Sequence, residues 1–208
     1  MSKITDIVAQ VNNKERCSVY LDGKFVFGIG ELDLLKFSLK IGQELSDSEI
    51  RTILNAVDET KCQDYANSLV CARMYTEREL RKKLEQKQFS SEIINDVVLN
   101  LKEYRYIDDR NYAEMYISES KQKYGIYKIK QKLFEKGVSP EIIDDCLSEF
   151  SNTETAVSQL KIKLRCKPLL KEDEQKMLRF LAQKGFSYDE AHEAIRVYME
   201  EFDGFNIE

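Results

Sequence analysis

Apolar residues along this chain follow two different spacings. In the first thirty residues they fall in two β-rich runs, Cys17–Leu21 and Lys24–Gly28, which flank the dipeptide Asp22-Gly23. Asp-Gly between two such runs is the strongest short-range signal for a β-hairpin. Residues 3–11 have the composition of a third strand. Because a hairpin alone is only marginally stable in water, we expect this region to pack against a helix.

Beyond residue 45 the apolar spacing becomes helical. The segment Ser46-Asp47-Ser48-Glu49 has the form of a capping box, and apolar residues follow it at intervals of three and four. This pattern predicts a helix from about Asp47 to Asp58. That helix and residues 31–37 are the expected packing partners of the hairpin.

The rest of the chain repeats one pattern three times. Residues 80–90, 129–139 and 177–187 align at offsets of 49 and then 48 residues. Each segment has two apolar residues four apart, a Lys three residues later, then Gln or Gly, and a Ser two residues after that. Gly commonly ends a helix and Ser commonly begins one. Each segment therefore predicts a helix, a short turn and a second helix.

A further helix precedes each of these segments and completes a three-helix unit. The three preceding helices are predicted at residues 64–74, 109–123 and about 153–165. The expected fold is mainly α, with three tandem three-helix repeats in an elongated array, preceded by a small N-terminal domain that contains the β-hairpin. The predicted segments are residues 1–60, 61–107, 108–151 and 152–208.

The composition agrees with a helical protein and excludes several classes. There are 8 Gly and 2 Pro in 208 residues, which is too few for a fold with many tight turns. The charged share is 33%, above the roughly 25% of an average protein. Five scattered Cys without a CxxC pair indicate reduced thiols in a cytoplasmic protein. The chain start lacks a secretory signal, and no apolar run approaches the ~18 residues of a membrane span.

The sequence offers little catalytic chemistry. One His, His192, cannot build a multi-His metal centre. Gly28 and Gly30 lack the third Gly of a dinucleotide-binding loop, and neither a phosphate-binding Walker sequence nor a GxSxG elbow occurs. The pairs Asp108-Asp109 and Asp144-Asp145 are interpreted as a helix start and a solvated face. We therefore predict no catalytic residues, no metal and no cofactor.

Charge is organised by repeat. The formal net charge is −5, but residues 73–87 carry +3 and residues 121–136 and 161–171 carry +5 each, whereas residues 172–208 carry −6. A single basic run is usually a solvated face, but three in equivalent places favour a polyanionic partner whose phosphates need no base-reading motif. The candidate contacts to DNA or another polyanionic partner are Arg73, Arg78, Arg81, Lys82, Lys121, Lys123, Lys128, Lys130, Lys132, Lys161, Lys163, Arg165 and Lys167. Tyr124 and Tyr127 lie among the second set and could stack on bases.

Several segments resemble the RecX family. Residues 104–113, Tyr-Arg-Tyr-Ile-Asp-Asp-Arg-Asn-Tyr-Ala, are similar to the family signature, in which a turn ending in Asp-Asp leads into a helix with an aromatic-Ala pair. Similarity to the first, second and third family repeats is carried by residues 64–66 with 79–84, 128–138 and 184–186. The hairpin region resembles the N-terminal extension of longer members. Two departures are Tyr104-Arg105, where the pattern usually has Gly, and Gln88, which breaks the first Lys-Gly pair.

The resemblance implies a regulator of the RecA recombinase. Members of the family bind the RecA–DNA filament in its helical groove, suppress its ATPase, strand-exchange and co-protease activities, and bind DNA directly. A monomer that acts in DNA repair, recombination and the SOS response is expected, with single- or double-stranded DNA bound without strong sequence preference and no membrane partner. Two alternatives stay open: a helix-turn-helix transcription regulator, which requires one preferred duplex sequence, and a helical-repeat protein adaptor, whose function is insensitive to salt.

Overall fold

A computed structural model describes residues 1–11, 15–148 and 152–204 of the chain. Its strands are β1 (Ser2–Ala9), β2 (Arg16–Leu21), β3 (Lys24–Gly30) and β4 (Glu44–Leu45). Its helices are α1 (Glu31–Lys36), α2 (Asp47–Ala72), α3 (Glu77–Gln86), α4 (Ser91–Glu103), α5 (Asp109–Ser120), α6 (Ile126–Lys136), α7 (Pro140–Cys146), α8 (Thr153–Leu164), α9 (Glu174–Lys184) and α10 (Tyr188–Gly204). The mainly helical fold class predicted from the sequence is confirmed.

The N-terminal region is an antiparallel sheet packed on helices, as predicted. The strand order is β3-β2-β1-β4. Asp22 and Gly23 both have positive φ, 51° and 80°, the pair of values that a tight hairpin turn requires. The short β4 was not predicted. The core of this N-terminal region is formed by one face of the sheet and by the loop and helix that follow. It consists of Ile4, Val19, Leu21, Phe27, Ile29, Leu39, Leu45, Ile53 and Val57.

Helix α2 is longer than the sequence pattern predicts. Its 26 residues run without a break from Asp47 to Ala72, so the two separate helices predicted at 47–58 and 64–74 are wrong, and the predicted boundary at residue 60 lies inside a helix. Residues 59–63 contain neither Gly nor Pro, and the Cys62 side chain is buried, so nothing in them interrupts the helix. The predicted capping box at its start is confirmed by hydrogen bonds from Glu49 N to Ser46 Oγ (3.2 Å) and from Ser46 N to Glu49 Oε2 (2.7 Å).

The chain divides into two compact units. One comprises residues 1–73 and 81–104, and thus joins the N-terminal sheet to most of the first repeat. The other comprises residues 74–80 and 105–208, and holds the second and third repeats. In the first unit α4 packs on α2 through Ile94, Val97, Val98 and Leu101.

The second and third repeats each have a core of their own. The second core contains Ala113, Ile117, Ile129, Leu133, Val138, Ile143 and Leu147. The third contains Ala156, Val157, Leu160, Leu169, Met177, Leu181, Phe186, Ala191, Ala194, Ile195 and Tyr198. Both clusters include the apolar residues that recur at helical spacing after the capping Ser139 and Ser187. The last residue of that series in the second repeat, Phe150, lies outside the described residues.

The predicted helix ends are confirmed by backbone geometry and by caps. Ser90, Ser139 and Ser187 accept hydrogen bonds from the backbone N–H three residues ahead, at 3.3, 3.4 and 3.1 Å. Gly137 and Gly185 end α6 and α9 in the left-handed conformation, with φ of 93° and 89°. The repeat pattern thus encodes the local structure directly.

Within the second unit, the Lys-Gly turn of a repeat contacts the first turn of the middle helix of the repeat before it. Gly125 N donates to the Lys184 carbonyl (3.0 Å) and Tyr127 N donates to the Gly185 carbonyl (3.1 Å). The same joint occurs one repeat earlier, where the Thr76 hydroxyl donates to the Lys136 carbonyl (2.6 Å). In both places the acceptor is a backbone carbonyl at the end of a helix, which the helix itself leaves unpaired.

Candidate interface for a polyanionic partner

The second basic run lies on α6 and on the turn before it, and half of its charge is already neutralised. Lys130 pairs with Asp144 (2.6 Å) and Lys132 with Glu135 (2.8 Å). Lys136 pairs with Glu79 of α3 (2.6 Å). The hydrogen bond to Glu135 raises the pKa of Lys132. Lys130 and Lys132, both predicted contacts, therefore face acidic neighbours that compete with any phosphate.

Three lysines of the same run are differently placed. Lys121 and Lys123 are exposed in the turn between α5 and α6, and Lys128 is half-buried in the first turn of α6. Among the residues that the structure describes, none of these three ammonium groups is in an ion pair. Of the lysines in this run, these three are therefore the strongest candidates for phosphate contacts.

The third basic run covers the end of α8 and the turn that follows. Lys161 pairs with Glu201 (2.7 Å), and the Lys163 ammonium lies 5.4 Å from the centre of the Phe180 ring. Arg165, Cys166 and Lys167 continue as an exposed turn, which Arg165 enters with φ of 53°. This run has four predicted contacts, which are Lys161, Lys163, Arg165 and Lys167. Within the part of the chain that the structure describes, only Lys161 of these four forms an ion pair with a carboxylate.

The structure brings the second and third runs together. Gln159 of α8 donates to the Gln122 carbonyl (3.1 Å), and Asn152 donates to the Tyr124 carbonyl (2.7 Å). These bonds hold α8 beside the α5–α6 turn, and Lys163 lies one helical turn beyond Gln159. The two basic runs are thus adjacent in space although they are about 40 residues apart in sequence.

Lys184 adds a cation that the sequence analysis did not select. Its ammonium lies 5.3 Å from the centre of the Tyr124 ring and 5.7 Å from that of Phe180, so it stands between the two runs. We call Lys121, Lys123, Lys163 and Lys184 the turn cluster. The sequence does contain a pattern that indicates Lys184, because this residue occupies the repeat position of Lys87 and Lys136 in the earlier repeats.

The two candidate stacking residues have different surroundings. Tyr124 is half-buried against the core of the second repeat and lies beneath the Lys184 ammonium. Because the Tyr124 ring packs against the core and under an ammonium group, it is less accessible to a base than the Tyr127 ring. The Tyr127 side chain is 62% exposed on α6 and keeps an open ring face.

The first basic run surrounds α3. Arg73 is exposed directly after α2, and Lys82 is exposed on α3. Arg81 donates to the Asn95 side chain (2.7 Å). Arg78 is exposed at its end, while its aliphatic stem lies against Gly137. Arg78 therefore has a packing role in addition to any contact with a partner.

The acidic pairs have partners that the sequence did not reveal. Asp145 pairs with Arg110 (2.8 Å), which raises the pKa of Arg110, and Asp144 holds Lys130. Both side chains are about two-thirds exposed, so this pair lies on a solvated face as predicted, and the ion pairs are an addition to that prediction. Asp108 begins α5 as predicted, by accepting from Arg110 N and Asn111 N at 3.0 Å.

The described residues contain no group of three or more side chains arranged to hold a metal ion. They also contain no helix that is long and apolar enough to cross a membrane.

Four family models match successive parts of the chain. Residues 2–46 match the regulatory protein RecX N-terminal domain. The first, second and third three-helix domains of RecX match residues 65–101, 108–147 and 152–195.

Individual relatives match over nearly the full length. The chain is 34% identical to regulatory protein RecX of Clostridium perfringens, over 94% of this chain and 96% of the relative. It is 33% identical to that of Leuconostoc mesenteroides, over 100% of this chain and 80% of the relative. A crystal structure of regulatory protein RecX matches with a TM-score of 0.70 at 31% identity, over 94% of this chain and 99% of that one. RecX from Lactobacillus salivarius matches with a TM-score of 0.62 at 25% identity, over 69% and 97% of the respective chains.

Proposed function

Because the chain belongs to the RecX family of regulatory proteins, we propose that it binds RecA filaments on DNA and lowers their ATPase, strand-exchange and co-protease activities. It acts in the cytoplasm, as a monomer and without catalysis of its own, during DNA repair, recombination and the SOS response. Binding free energy alone changes the filament, so no catalytic residue or cofactor is required.

The observation that carries the proposal is the turn cluster. Lys163 and Lys184 lie over aromatic rings, and Lys121 and Lys123 are exposed in the turn between α5 and α6; among the described residues none of the four is in an ion pair. Lysines held in this way are available to phosphate oxygens. Phosphate contacts fix a protein on a nucleic acid without reading its sequence, so we expect DNA of any sequence to bind.

The competing transcription-regulator hypothesis requires one strongly preferred duplex. The lysines of the turn cluster lie on a turn and at helix ends, whereas sequence readout in a helix-turn-helix protein comes from the face of a recognition helix in the major groove. The arrangement therefore favours a nucleoprotein filament over a single operator.

The salt dependence of binding to RecA–DNA filaments and to single-stranded DNA tests this proposal. Wild type is compared with the double variant Lys121→Gln/Lys123→Gln and with the matched control Lys130→Gln/Lys132→Gln. The slope of log K against log salt is negative, and each lost phosphate contact reduces its magnitude by about 0.7 for a single strand. We expect the magnitude of the slope to be smaller by about 1.4 in the first variant than in wild type. The control should change little, because the charges it removes already face Asp144 and Glu135.

Equal losses in both variants would show that total charge, and not the placement of the lysines, governs binding. Wild-type binding to one duplex sequence far above all others would favour the transcription regulator. Filament binding that does not respond to salt, together with no DNA binding, would favour the protein adaptor.

A further inference from the structure

The outer face of α6 carries two exposed aromatic rings. Tyr127 and Phe134 are 62% and 60% exposed. They are seven residues apart, which is two helical turns or about 10 Å along the axis. Ile129 and Leu133 of the same helix are buried in the core, so the two rings lie on the side that faces away from it. Lys130 and the exposed Gln131, three and four residues after Tyr127, lie between them.

Lysines border this pair of rings. Helical spacing places Lys128 on one side of the Tyr127–Phe134 line, whereas Lys130, on the other side, is held by Asp144 (2.6 Å). The exposed Lys121 and Lys123 lie in the turn that leads into the helix. One exposed apolar side chain is ordinary in a soluble protein. Two aromatic rings in line along a helix, close to three lysines that are in no ion pair among the described residues, match a ligand that carries both flat bases and phosphates.

We propose that the outer face of α6 is a stacking platform for single-stranded nucleic acid, with bases on Tyr127 and Phe134 and phosphates on the neighbouring lysines. The inference rests on the proposed function, which it deepens by naming the form of nucleic acid that this part of the site takes. In a duplex the bases are stacked on each other and paired, so their faces cannot reach the rings. A duplex therefore gains only the lysine contacts, and the two aromatic rings give the protein a preference for single strands.

The platform belongs to the second repeat alone. At the positions that align with Tyr127 and Phe134, the first repeat has Arg78 and Glu85 and the third repeat has Gln175 and Ala182. The general attraction for phosphates is thus spread over the repeats, while the recognition of unpaired bases is concentrated on one helix.

The absence of Trp from the chain makes a direct test available. The Phe134→Trp variant carries a single indole, whose emission is quenched when a base stacks on it. We expect oligo(dT) to quench this emission and an abasic oligomer with the same number of phosphates to quench it little. The matched control is Tyr188→Trp, at a position on α10 that is 75% exposed and is expected to respond to neither. Emission from Phe134→Trp that is unchanged on saturation with oligo(dT) would overturn the platform.

Affinity gives the second readout. The double variant Tyr127→Ala/Phe134→Ala should bind oligo(dT) at least about 30-fold more weakly, since each stacked base contributes about 1 kcal/mol or more. Its affinity for a duplex of equal length and for the abasic oligomer should change less than about threefold. Both side chains are exposed, and circular dichroism of the variant verifies that it folds.

The outcomes separate this inference from the proposed function. If the double variant keeps its affinity for oligo(dT) but loses that for the RecA filament, the rings contact protein. The platform is then refuted, whereas the filament-binding function stands. If wild type binds neither filament nor DNA, both fail together.

Discussion

The joint between repeats leads to a prediction about three glycines. Gly185 has φ of +89°, and a Cβ added there would overlap the backbone N and the Cβ of Lys128. Gly125 has an ordinary φ of −78°, but an added Cβ would overlap the backbone of Gly185 and Phe186. Gly42 has φ of +92° and open space around it. An alanine is therefore destabilising at Gly42 only through the strain of a positive φ, at Gly125 only through steric overlap, and at Gly185 through both.

The magnitudes follow from these differences. A non-Gly residue in the left-handed region costs roughly 1–2 kcal/mol, and overpacking costs about 1–3 kcal/mol. We expect Gly42→Ala to lower the free energy of unfolding by about 1 kcal/mol and Gly125→Ala by about 2. Gly185→Ala should cost about 2–5 kcal/mol, because the positive φ and the overlap both contribute at that position.

Calorimetry and urea unfolding followed by circular dichroism provide the measurement. For a chain of this size, 1 kcal/mol shifts Tm by roughly 2–4 °C, so Gly185→Ala should lower the transition of the second unit by at least about 4 °C. Gly42 lies in the first unit, so the Gly42→Ala variant reports the cost of a positive φ through the unfolding transition of that unit. Gly185→Ala that destabilises no more than Gly42→Ala would refute the close approach of the turn to α6.

Two further predictions concern buried groups. Thr76→Val should lower the free energy of unfolding by about 2 kcal/mol, and Thr76→Ser by much less, because the buried hydroxyl both caps α3 and donates to the Lys136 carbonyl. Urea unfolding should therefore give a lower midpoint for Thr76→Val than for Thr76→Ser, and equal midpoints would contradict this prediction. Burial raises the pKa of the Cys62 thiol to about 11, whereas Cys71 and Cys166 are exposed. At pH 8 a thiol reagent should therefore modify Cys71 and Cys166 quickly and Cys62 only after unfolding, and rapid modification of Cys62 in the folded protein would show that its site is open.

Local signals in the sequence predicted most of the fold. The capping serines, the Asp-Gly turn and the terminal glycines act within four or five residues of themselves, so their consequences can be read from the pattern. The break predicted near residue 60 failed for the opposite reason. It was inferred from a change of pattern, while residues 59–63 contain nothing that stops a helix.

The candidate site was less accessible to sequence reasoning because its charges are paired across helices. Lys136 reaches Glu79, 57 residues away in sequence, and no local pattern announces such a partner. The joint shows the same limit. Gly137 and Gly185 are identifiable as helix ends, but their second role, which is to let another helix approach, appears only in three dimensions. Gln88 adopts the same left-handed conformation, with φ of 63°, so the glycine missing from the first repeat is not required by the turn alone.

Hydrolysis of ATP by RecA filaments tests the proposed function most directly. RecA is assembled on single-stranded DNA with ATP, the protein is added at well below one copy per RecA, and the rate of hydrolysis is followed together with the loss of filament. We predict that the rate falls progressively at these ratios and that Lys121→Gln/Lys123→Gln requires more protein for the same effect. An unchanged rate and intact filaments, even with one copy of wild-type protein per RecA, would contradict the proposal that this chain regulates the recombinase.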